Sequence, residues 1–262
     1  MRHNPRKRFG QNFLIDQQII AQIIAAIYPK KNDRIIEIGP GLGALTRPLL
    51  QAVNHLDVVE IDRDIVARLN KEFSQEKLTI HATDALKFDF SAFGNNLRIV
   101  GNLPYNISTP LLFHLSQFSE HIVDMHFMLQ KEVVDRMVGM PTTSDYGRLS
   151  VMLQYRFDME HVFSVPAESF SPAPKVESAI VQMIPRPKSS MHAQDEVLLS
   201  QVVSAAFSQR RKTLRNTLRD FLNTDDFCAL GIDSGLRAEN LSMEHFVAIA
   251  NFLEKRLENR VK

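Results

Sequence analysis

The chain has 262 residues, of which 44% are hydrophobic, and its 31 Lys and Arg residues nearly balance its 30 Asp and Glu residues. This composition excludes a largely disordered chain, and the single cysteine excludes an internal disulfide framework and a cysteine-built zinc site. Without an apolar run long enough for a signal core or a transmembrane helix, the sequence predicts a soluble cytoplasmic protein that binds no metal.

The first predicted elements are a helix and then an alternation of strands and helices. The helix follows from isoleucines at helical spacing, at Ile15, Ile19, Ile20, Ile23, Ile24 and Ile27. The predicted strands are 34–38, 56–61, 78–81, 97–100 and 123–129, and the predicted helices are 44–52, 64–73, 109–116 and 131–138. This order predicts a Rossmann-like α/β fold with a mostly parallel, doubly wound sheet, whose ligand crevice lies beyond the C-terminal strand ends.

The remaining elements predict a second, smaller domain. Two apolar runs, 157–165 and 178–184, are expected to form a hairpin-like pair that completes the sheet. The proline-containing segment 185–190 is typical of a linker, and helical patterns follow it. An apolar stripe is expected on the last helix, at Phe246, Ile249, Ala250, Leu253 and Leu257. We therefore predict a catalytic domain at 1–187 and a small all-helical domain at 188–262.

A glycine-rich loop follows the first strand of the predicted sheet. Gly39, Gly41 and Gly43 lie between that strand and the next helix, where glycines allow a tight turn and a close approach of the backbone to a nucleotide. The last glycine comes one residue earlier than in the dinucleotide fingerprint. A tight turn without a ligand is the plain alternative.

Acidic residues at the next two strand ends extend this pattern. Glu60 follows Gly39 by about twenty residues, which is the spacing of a carboxylate that accepts ribose hydroxyls. Ile61 can pack on an adenine face, and Asp84, followed by Ala85, can accept from an adenine amino group. These residues predict an adenosine site, which S-adenosylmethionine and NAD would both fit.

The motif after the fourth strand favours one reaction. Asn102, Leu103, Pro104 and Tyr105 resemble the Asn/Asp-Pro-Pro-Tyr motif of methyltransferases that act on exocyclic amines of nucleobases. An adenine N6 lone pair is delocalised into the ring, and fixed acceptors around its hydrogens stabilise the charge that develops as nitrogen attacks a methyl group. Asn102 and main-chain carbonyls would be those acceptors, with Tyr105 as a stacking face. A proline turn with a half-buried tyrosine is the plain alternative.

The resemblance then extends over nearly the whole chain. The matching segments are 6–14, the glycine loop, 101–108, 127–133, 146–150, 170–178 and 209–216. They resemble the bacterial small-subunit ribosomal RNA adenine N6,N6-dimethyltransferases. The resemblance implies a class I S-adenosylmethionine methyltransferase fold and the transfer of two methyl groups to each of two adjacent adenosines. Those adenosines lie in the hairpin near the 3′ end of 16S rRNA, within immature 30S subunits late in assembly.

The resemblance also implies residue roles. Together with the motif residues above, it predicts S-adenosylmethionine binding by Asn12, Leu14, Gly39, Gly41, Glu60, Ile61, Asp84, Ala85 and Asn102. The target adenine would be held by Asn102, Leu103, Pro104 and Tyr105, with Phe170 as a second stacking face. Without the resemblance, a phenylalanine between prolines is more typical of a loop anchor.

The basic residues are unevenly distributed. Residues 1–11 hold four basic and no acidic side chains, 207–219 hold five and none, and the rest hold 22 basic and 30 acidic groups. Arg211, Arg215 and Arg219 recur every four residues and predict one flank of a helix, with Leu214, Leu218, Phe221 and Leu222 on its apolar side. A solvated flank is the plain alternative. Arginine suits phosphate, so we predict RNA contacts at Arg6, Lys7, Arg8, Arg210, Arg211, Lys212 and Arg215.

Three other functions remain open. One is the related 23S rRNA methyltransferase of the macrolide-resistance type, and another is a 30S assembly checkpoint factor whose binding matters more than its catalysis. The third, a nicotinamide dehydrogenase, is disfavoured by the glycine spacing and by the motif at 101–108. No apolar surface stripe demands a protein partner, so a monomer is expected.

Overall fold

The computed structural model describes the backbone of residues 12–261 and the side chains of residues 12–257. The β-strands in this part of the chain are β1 (Phe13–Leu14), β2 (Arg34–Ile38), β3 (Leu56–Val59), β4 (Leu78–His81), β5 (Leu97–Asn102), β6 (Ile122–Gln130), β7 (Phe157–Val165), β8 (Phe170–Ser171) and β9 (Ser178–Pro185). The α-helices are α1 (Gln17–Ile27), α2 (Thr46–Ala52), α3 (Arg63–Glu72), α4 (Ser108–Ser116), α5 (Lys131–Val138), α6 (Arg148–Gln154), α7 (Glu196–Ala206), α8 (Leu214–Thr217), α9 (Thr224–Leu230) and α10 (Met243–Val261).

Seven strands form one sheet in the order β4-β3-β2-β5-β6-β9-β7. The pairs β2–β3, β2–β5, β3–β4 and β5–β6 are parallel, whereas β6 and β9 are antiparallel. The chain order reverses beside β2, because β3 and β4 lie on one side of it and β5 and β6 on the other. The predicted doubly wound, mostly parallel sheet is confirmed, and the reversal is where such sheets open a ligand crevice.

The central strands are apolar on both faces. Four of the five residues of β2 are buried, as are Leu56, Val58 and Val59 of β3. Strands covered by helices on both sides show such continuous apolar runs, and this pattern made their positions predictable from sequence. The predicted pair at 157–165 and 178–184 corresponds to β7 and β9, which are neighbours in the sheet.

Helix α1 begins after a capping aspartate. The Asp16 side chain accepts hydrogen bonds from the N–H groups of Gln18 and Ile19, which would otherwise have no partner in the helix. The predicted apolar face is buried at Ile19, Ile20, Ile23 and Ile27. Ile15 does not belong to that face as predicted, because it precedes the cap and is 54% exposed.

Contacts between Cα atoms group the chain into two compact units, each with its own core. One comprises residues up to Val134 and Asp158–Pro185, and the other comprises Asp135–Phe157 and the residues from Arg186 onward. In this grouping, 135–157 goes with the C-terminal helices and not with the sheet. The division into domains at 1–187 and 188–262 stays a prediction about folding and function.

The second unit is built from amphipathic helices. Asp195 caps α7 by accepting from the N–H groups of Val197 and Leu198. The core of the unit includes the predicted stripe on α10 at Phe246, Ile249, Ala250 and Leu253. Leu257 is not part of it as predicted, because its side chain is 51% exposed.

Candidate active site

A cavity of about 340 Å³ lies at the C-terminal ends of β2, β3, β4 and β5. Its wall contains twelve of the predicted site residues: Asn12, Leu14, Gly39, Gly41, Glu60, Ile61, Asp84, Ala85, Asn102, Leu103, Pro104 and Tyr105. They come from four strand ends and from the segment around β1. The parallel sheet brings these residues together because the ends of parallel strands meet at one edge.

The glycine loop runs along this cavity in a conformation that glycine permits. Gly39, Gly41 and Gly43 have φ angles of +69°, +53° and +82°, in the left-handed region where other residues are strained. The N–H of Gly39 donates to the carbonyl of Val59 at 3.0 Å, so the loop is tied to the end of β3. The backbone of the loop itself forms part of the cavity wall.

Glu60 is a nearly buried carboxylate beside this loop, with 7% of its surface exposed. Burial raises the pKa of Glu60, and N–H donors from Asp62, Ile61 and Gly41 oppose that rise. The hydrogen bond from the Asp62 N–H to Glu60 Oε1 is 2.8 Å long. Ile61 is 52% exposed and lines the cavity, so an apolar surface adjoins the carboxylate.

Asp84 stands at the next strand end. Its Oδ1 accepts the N–H of Leu86 at 3.0 Å, which fixes the side chain at the start of a short 3₁₀ turn containing Ala85. A carboxylate has acceptor sites beyond this one bond. Asp84 can therefore accept a further donor from the cavity.

Asn102 has its amide oriented by the segment around β1. Its Nδ2 donates to the main-chain carbonyl of Asn12 at 3.2 Å, which directs the donor end of the amide to that carbonyl. The acceptor atom Oδ1 is then the end that a ligand amino group can use. Leu103 is 1% exposed and its N–H donates to Met128 at 3.1 Å, so the chain following Asn102 is held against β6.

Tyr105 is half-buried and held at both its main chain and its ring. Its carbonyl accepts from Ser108 Oγ at 3.1 Å, and its phenolic oxygen lies 2.7 Å from Ser178 Oγ on β9. Burial raises the pKa of Tyr105, which therefore stays a neutral phenol at physiological pH.

Among the described residues of the first unit, Phe170 is the one predicted catalytic or cofactor-binding residue that does not line this cavity. It is 3% exposed and packs in the same core cluster as Leu14. The two residues also pair across the β1–β8 ladder. The structure thus shows the loop-anchor arrangement, and a role as second stacking face stays a prediction.

Glu37 lines the cavity but was not predicted as a site residue. It is 2% exposed and accepts the Thr46 hydroxyl at 2.7 Å. Burial raises the pKa of Glu37 to about 7, and the neighbouring Glu60 adds to the rise. The sequence did indicate that this residue is unusual, because an acidic residue within the apolar run of β2 is expected to be buried. Burial of a carboxylate is costly unless a hydrogen bond or a charge partner compensates it.

The predicted RNA-binding residues lie in two segments of the chain, and the structure describes the second of them. Arg6, Lys7 and Arg8 lie outside the described residues. Arg210, Arg211, Lys212 and Arg215 are all exposed, and Arg210 also donates to the carbonyl of Ser144 at 2.6 Å and lies 3.6 Å from Glu239.

The predicted arginine-flanked helix is much shorter than expected. α8 comprises only Leu214–Thr217, so Arg211 and Lys212 precede it and Arg219 follows it. The N–H groups of Leu214 and Arg215 donate to the carbonyls of Leu236 and Ser234. These main-chain bonds connect the segment to another part of its unit. Its predicted apolar side is nevertheless buried at Leu214, Leu218 and Leu222.

The described residues contain neither a candidate metal site nor a candidate membrane span. Among them, no group of three or more His, Cys, Asp and Glu side chains is placed to hold a metal ion. In the same part of the chain, no helix has the length and apolar character needed to cross a membrane.

The chain is similar to known proteins over nearly its whole length. A family model described as ribosomal RNA adenine dimethylase matches residues 2–255. The ribosomal RNA small subunit methyltransferase A of Nitrosospira multiformis is 64% identical over 255 residues, covering 97% of this chain and 98% of the relative. The protein of the same name from Thiobacillus denitrificans is 61% identical over 254 residues, covering 97% of this chain and 100% of the relative.

Two solved structures are similar over the same length. A dimethyladenosine transferase from Plasmodium falciparum has a TM-score of 0.80 and 26% identity, covering 93% of this chain and 98% of its own. The 23S rRNA methyltransferase ErmE shares the fold with a TM-score of 0.73 and 24% identity, covering 93% of this chain and 100% of its own.

Proposed function

The chain belongs to the ribosomal RNA adenine dimethylase family, and we propose that it transfers methyl groups from S-adenosylmethionine to N6 of two adjacent adenosines in 16S rRNA. The proposed target is the 3′-terminal hairpin, and the proposed substrate particle is the immature 30S subunit. The observation that carries the proposal is that the glycine loop, Glu60, Asp84 and the Asn102–Tyr105 motif line one cavity. In this arrangement the adenosine of the cofactor would lie next to N6 of the target adenine.

The cavity residues fit S-adenosylmethionine. Gly39 and Gly41 present backbone to the cavity, Glu60 offers acceptors for ribose hydroxyls, and Ile61 offers an apolar face for adenine. Asp84 can accept from the adenine amino group, and Asn12 and Leu14 also line the cavity. When bound there, the cofactor supplies a sulfonium methyl group as electrophile and leaves as S-adenosylhomocysteine.

The protein's part in the chemistry is to hold the acceptor amine. Asn102 Oδ1 and the main-chain carbonyl of Leu103 would accept the two amino hydrogens and stabilise the positive charge that develops on nitrogen. Tyr105 would stack on the target base after the base leaves its helical stack. The methylated nitrogen loses its proton readily to water, so no general base is required.

The experiment that tests this function compares ribosomal precursors. The protein is incubated with labelled S-adenosylmethionine and either immature 30S particles or 50S precursor RNA. We expect label in the 16S rRNA of the 30S particles and none in the 50S precursor. Label in 23S rRNA alone would replace the proposal with the 23S methyltransferase alternative.

A further inference from the structure

One buried serine holds the outer end of Tyr105. The phenolic oxygen of Tyr105 and Ser178 Oγ are 2.7 Å apart, although the two residues are 73 positions apart in the chain. Ser178 is fully buried on β9. The contact therefore joins the loop after β5 to a strand that is remote from it in sequence.

The position of this serine is set by the sheet. Ser178 pairs with Gln130 at the end of β6, and the N–H of Lys131 donates to the carbonyl of Glu177 at 2.9 Å. Main-chain bonds thus hold the strand on both sides of the contact. A hydroxyl on such a strand is a fixed point that can orient the ring of Tyr105.

The remaining hydrogen bonds of the Tyr105 loop fix its main chain. Ser108 Oγ donates to the carbonyl of Tyr105, and the N–H of Ile107 donates to the carbonyl of Pro104 at 3.2 Å. These bonds determine where the side chain starts. The bond to Ser178 determines where the ring ends, and the two ends together define the direction of the ring.

We propose that Ser178 is a positioning residue, whose hydroxyl holds the ring of Tyr105 in the orientation that receives the target base. The proposal rests on the proposed function, because it takes Tyr105 as the stacking face for adenine. Stacking depends on the alignment of the two ring planes, and a ring held at its far end is aligned before the base arrives. Ser178 itself acts only through Tyr105.

A double-mutant cycle tests this role. Single-turnover methyl transfer to immature 30S particles is measured for wild type, Ser178→Ala, Tyr105→Phe and the double variant. We expect each single variant to be slower by roughly three- to tenfold, which is the effect of one lost hydrogen bond. The double variant should be no slower than the slower single variant, since both changes remove the same bond. The affinity for S-adenosylmethionine should stay unchanged.

Ser116→Ala is the matched control. Ser116 is also a buried serine, and its hydroxyl donates to the carbonyl of Phe113 at 2.7 Å within α4. We expect wild-type methyl transfer from this variant. A general effect of losing a buried serine hydroxyl would slow it as much as Ser178→Ala.

Specific results would overturn the role of Ser178. Additive slowing in the double variant, or a wild-type rate for Tyr105→Phe, would show that the contact does not orient the ring. Tyr105→Phe leaves β9 intact, so it decides the question even if Ser178→Ala fails to fold. Absence of methyl transfer by the wild type would instead contradict the proposed function, which separates the two failures.

Discussion

Asn102 is the residue on which the proposed chemistry depends most, through its side-chain amide. Its Nδ2 is engaged by the carbonyl of Asn12, so Oδ1 is the end available to a target amine. We predict that Asn102→Ala lowers methyl transfer at least about 100-fold, because it removes an acceptor for developing charge. S-adenosylmethionine binding should be largely kept, since Glu60, Asp84 and the glycine loop remain.

Filter binding of labelled S-adenosylmethionine and methyl incorporation into 30S particles would measure the two effects separately. Asn54→Ala is the matched control, because the exposed Asn54 amide donates to Asn32 and does not line the cavity. That variant should turn over normally. Wild-type-like turnover by Asn102→Ala would contradict the mechanism.

Glu37 predicts a specific dependence of stability on pH. Its folded pKa of about 7 lies above its ordinary value of 4.5, so between these values the folded protein holds a proton that the unfolded chain releases. The free energy of unfolding should therefore fall as pH rises from 4.5 to about 7, and this group should contribute no further change above that.

Glu37→Gln removes the ionisation and keeps an acceptor for the Thr46 hydroxyl. The free energy of unfolding of the variant should not fall in this way. Relative to the wild type, it should therefore rise by about 3 kcal/mol between pH 4.5 and 7, a value that follows from the size of the pKa rise. Urea unfolding at several pH values would measure the difference. A constant difference between the two proteins from pH 4.5 to 7 would show that Glu37 does not titrate there.

At the residue level, the sequence predicted the side chains whose position in the fold follows from the pattern of their own segment. Gly39, Glu60, Asp84 and Asn102 were predictable because each stands at a strand end, and parallel strand ends converge. Ser178 was not, because its importance comes from a partner 73 positions away. Phe170 was given a site role by resemblance, whereas its burial beside Leu14 depends on the β1–β8 pairing.

At the level of elements, β5 packs against β2 through a glycine. A Cβ on Gly101 would lie 2.4 Å from the carbonyl oxygen of Ile38, which is backbone and has little room to move. We predict that Gly101→Ala destabilises the protein by about 3 kcal/mol, because the strands at the cavity would have to separate. Chemical denaturation would measure the loss.

Gly147→Ala is the control for that substitution. Gly147 is extended, and a Cβ there would meet nothing within 4 Å. This variant should unfold within about 0.5 kcal/mol of the wild type. Equal stability of both alanine variants would mean that the close approach of Gly101 to Ile38 does not limit the packing of the sheet.

Predictability also differed between kinds of element. The predicted strands correspond closely to β2–β6 because buried parallel strands are mostly apolar and end at polar loops. The arginine spacing at 211–219 predicted a longer helix than α8. Periodicity along one segment did not reveal that its N–H groups bond to the carbonyls of Ser234 and Leu236.

For the whole molecule, the near-neutral total conceals two basic segments, 1–11 and 207–219, while the other residues hold 22 basic and 30 acidic groups. We predict that replacing Arg211 and Lys212 with alanine weakens RNA binding. The slope of log affinity against log salt should fall by roughly one to two, because phosphate contacts release counterions. Arg210 is left in place, because its replacement would also remove its contacts with Ser144 and Glu239.

Binding to 16S rRNA fragments at several salt concentrations would measure that slope. Lys71, in the last turn of α3, and Lys77, just before β4, are exposed, and their double alanine variant is the control with the same charge change. We expect that control to keep the wild-type slope. If the Arg211 and Lys212 variant also kept it, these two residues would lie outside the RNA footprint.

The identity of the methylated nucleosides is the most direct test of the proposed function, and nucleoside analysis of the reacted RNA measures it. The protein is incubated with S-adenosylmethionine and immature 30S particles, and the 16S rRNA is digested and examined by mass spectrometry. We predict N6,N6-dimethyladenosine at two adjacent positions of the 3′-terminal hairpin, absent when Asn102→Ala replaces the wild type. Methylation of any other nucleoside, or no methylation of 16S rRNA by the wild type, would contradict the account.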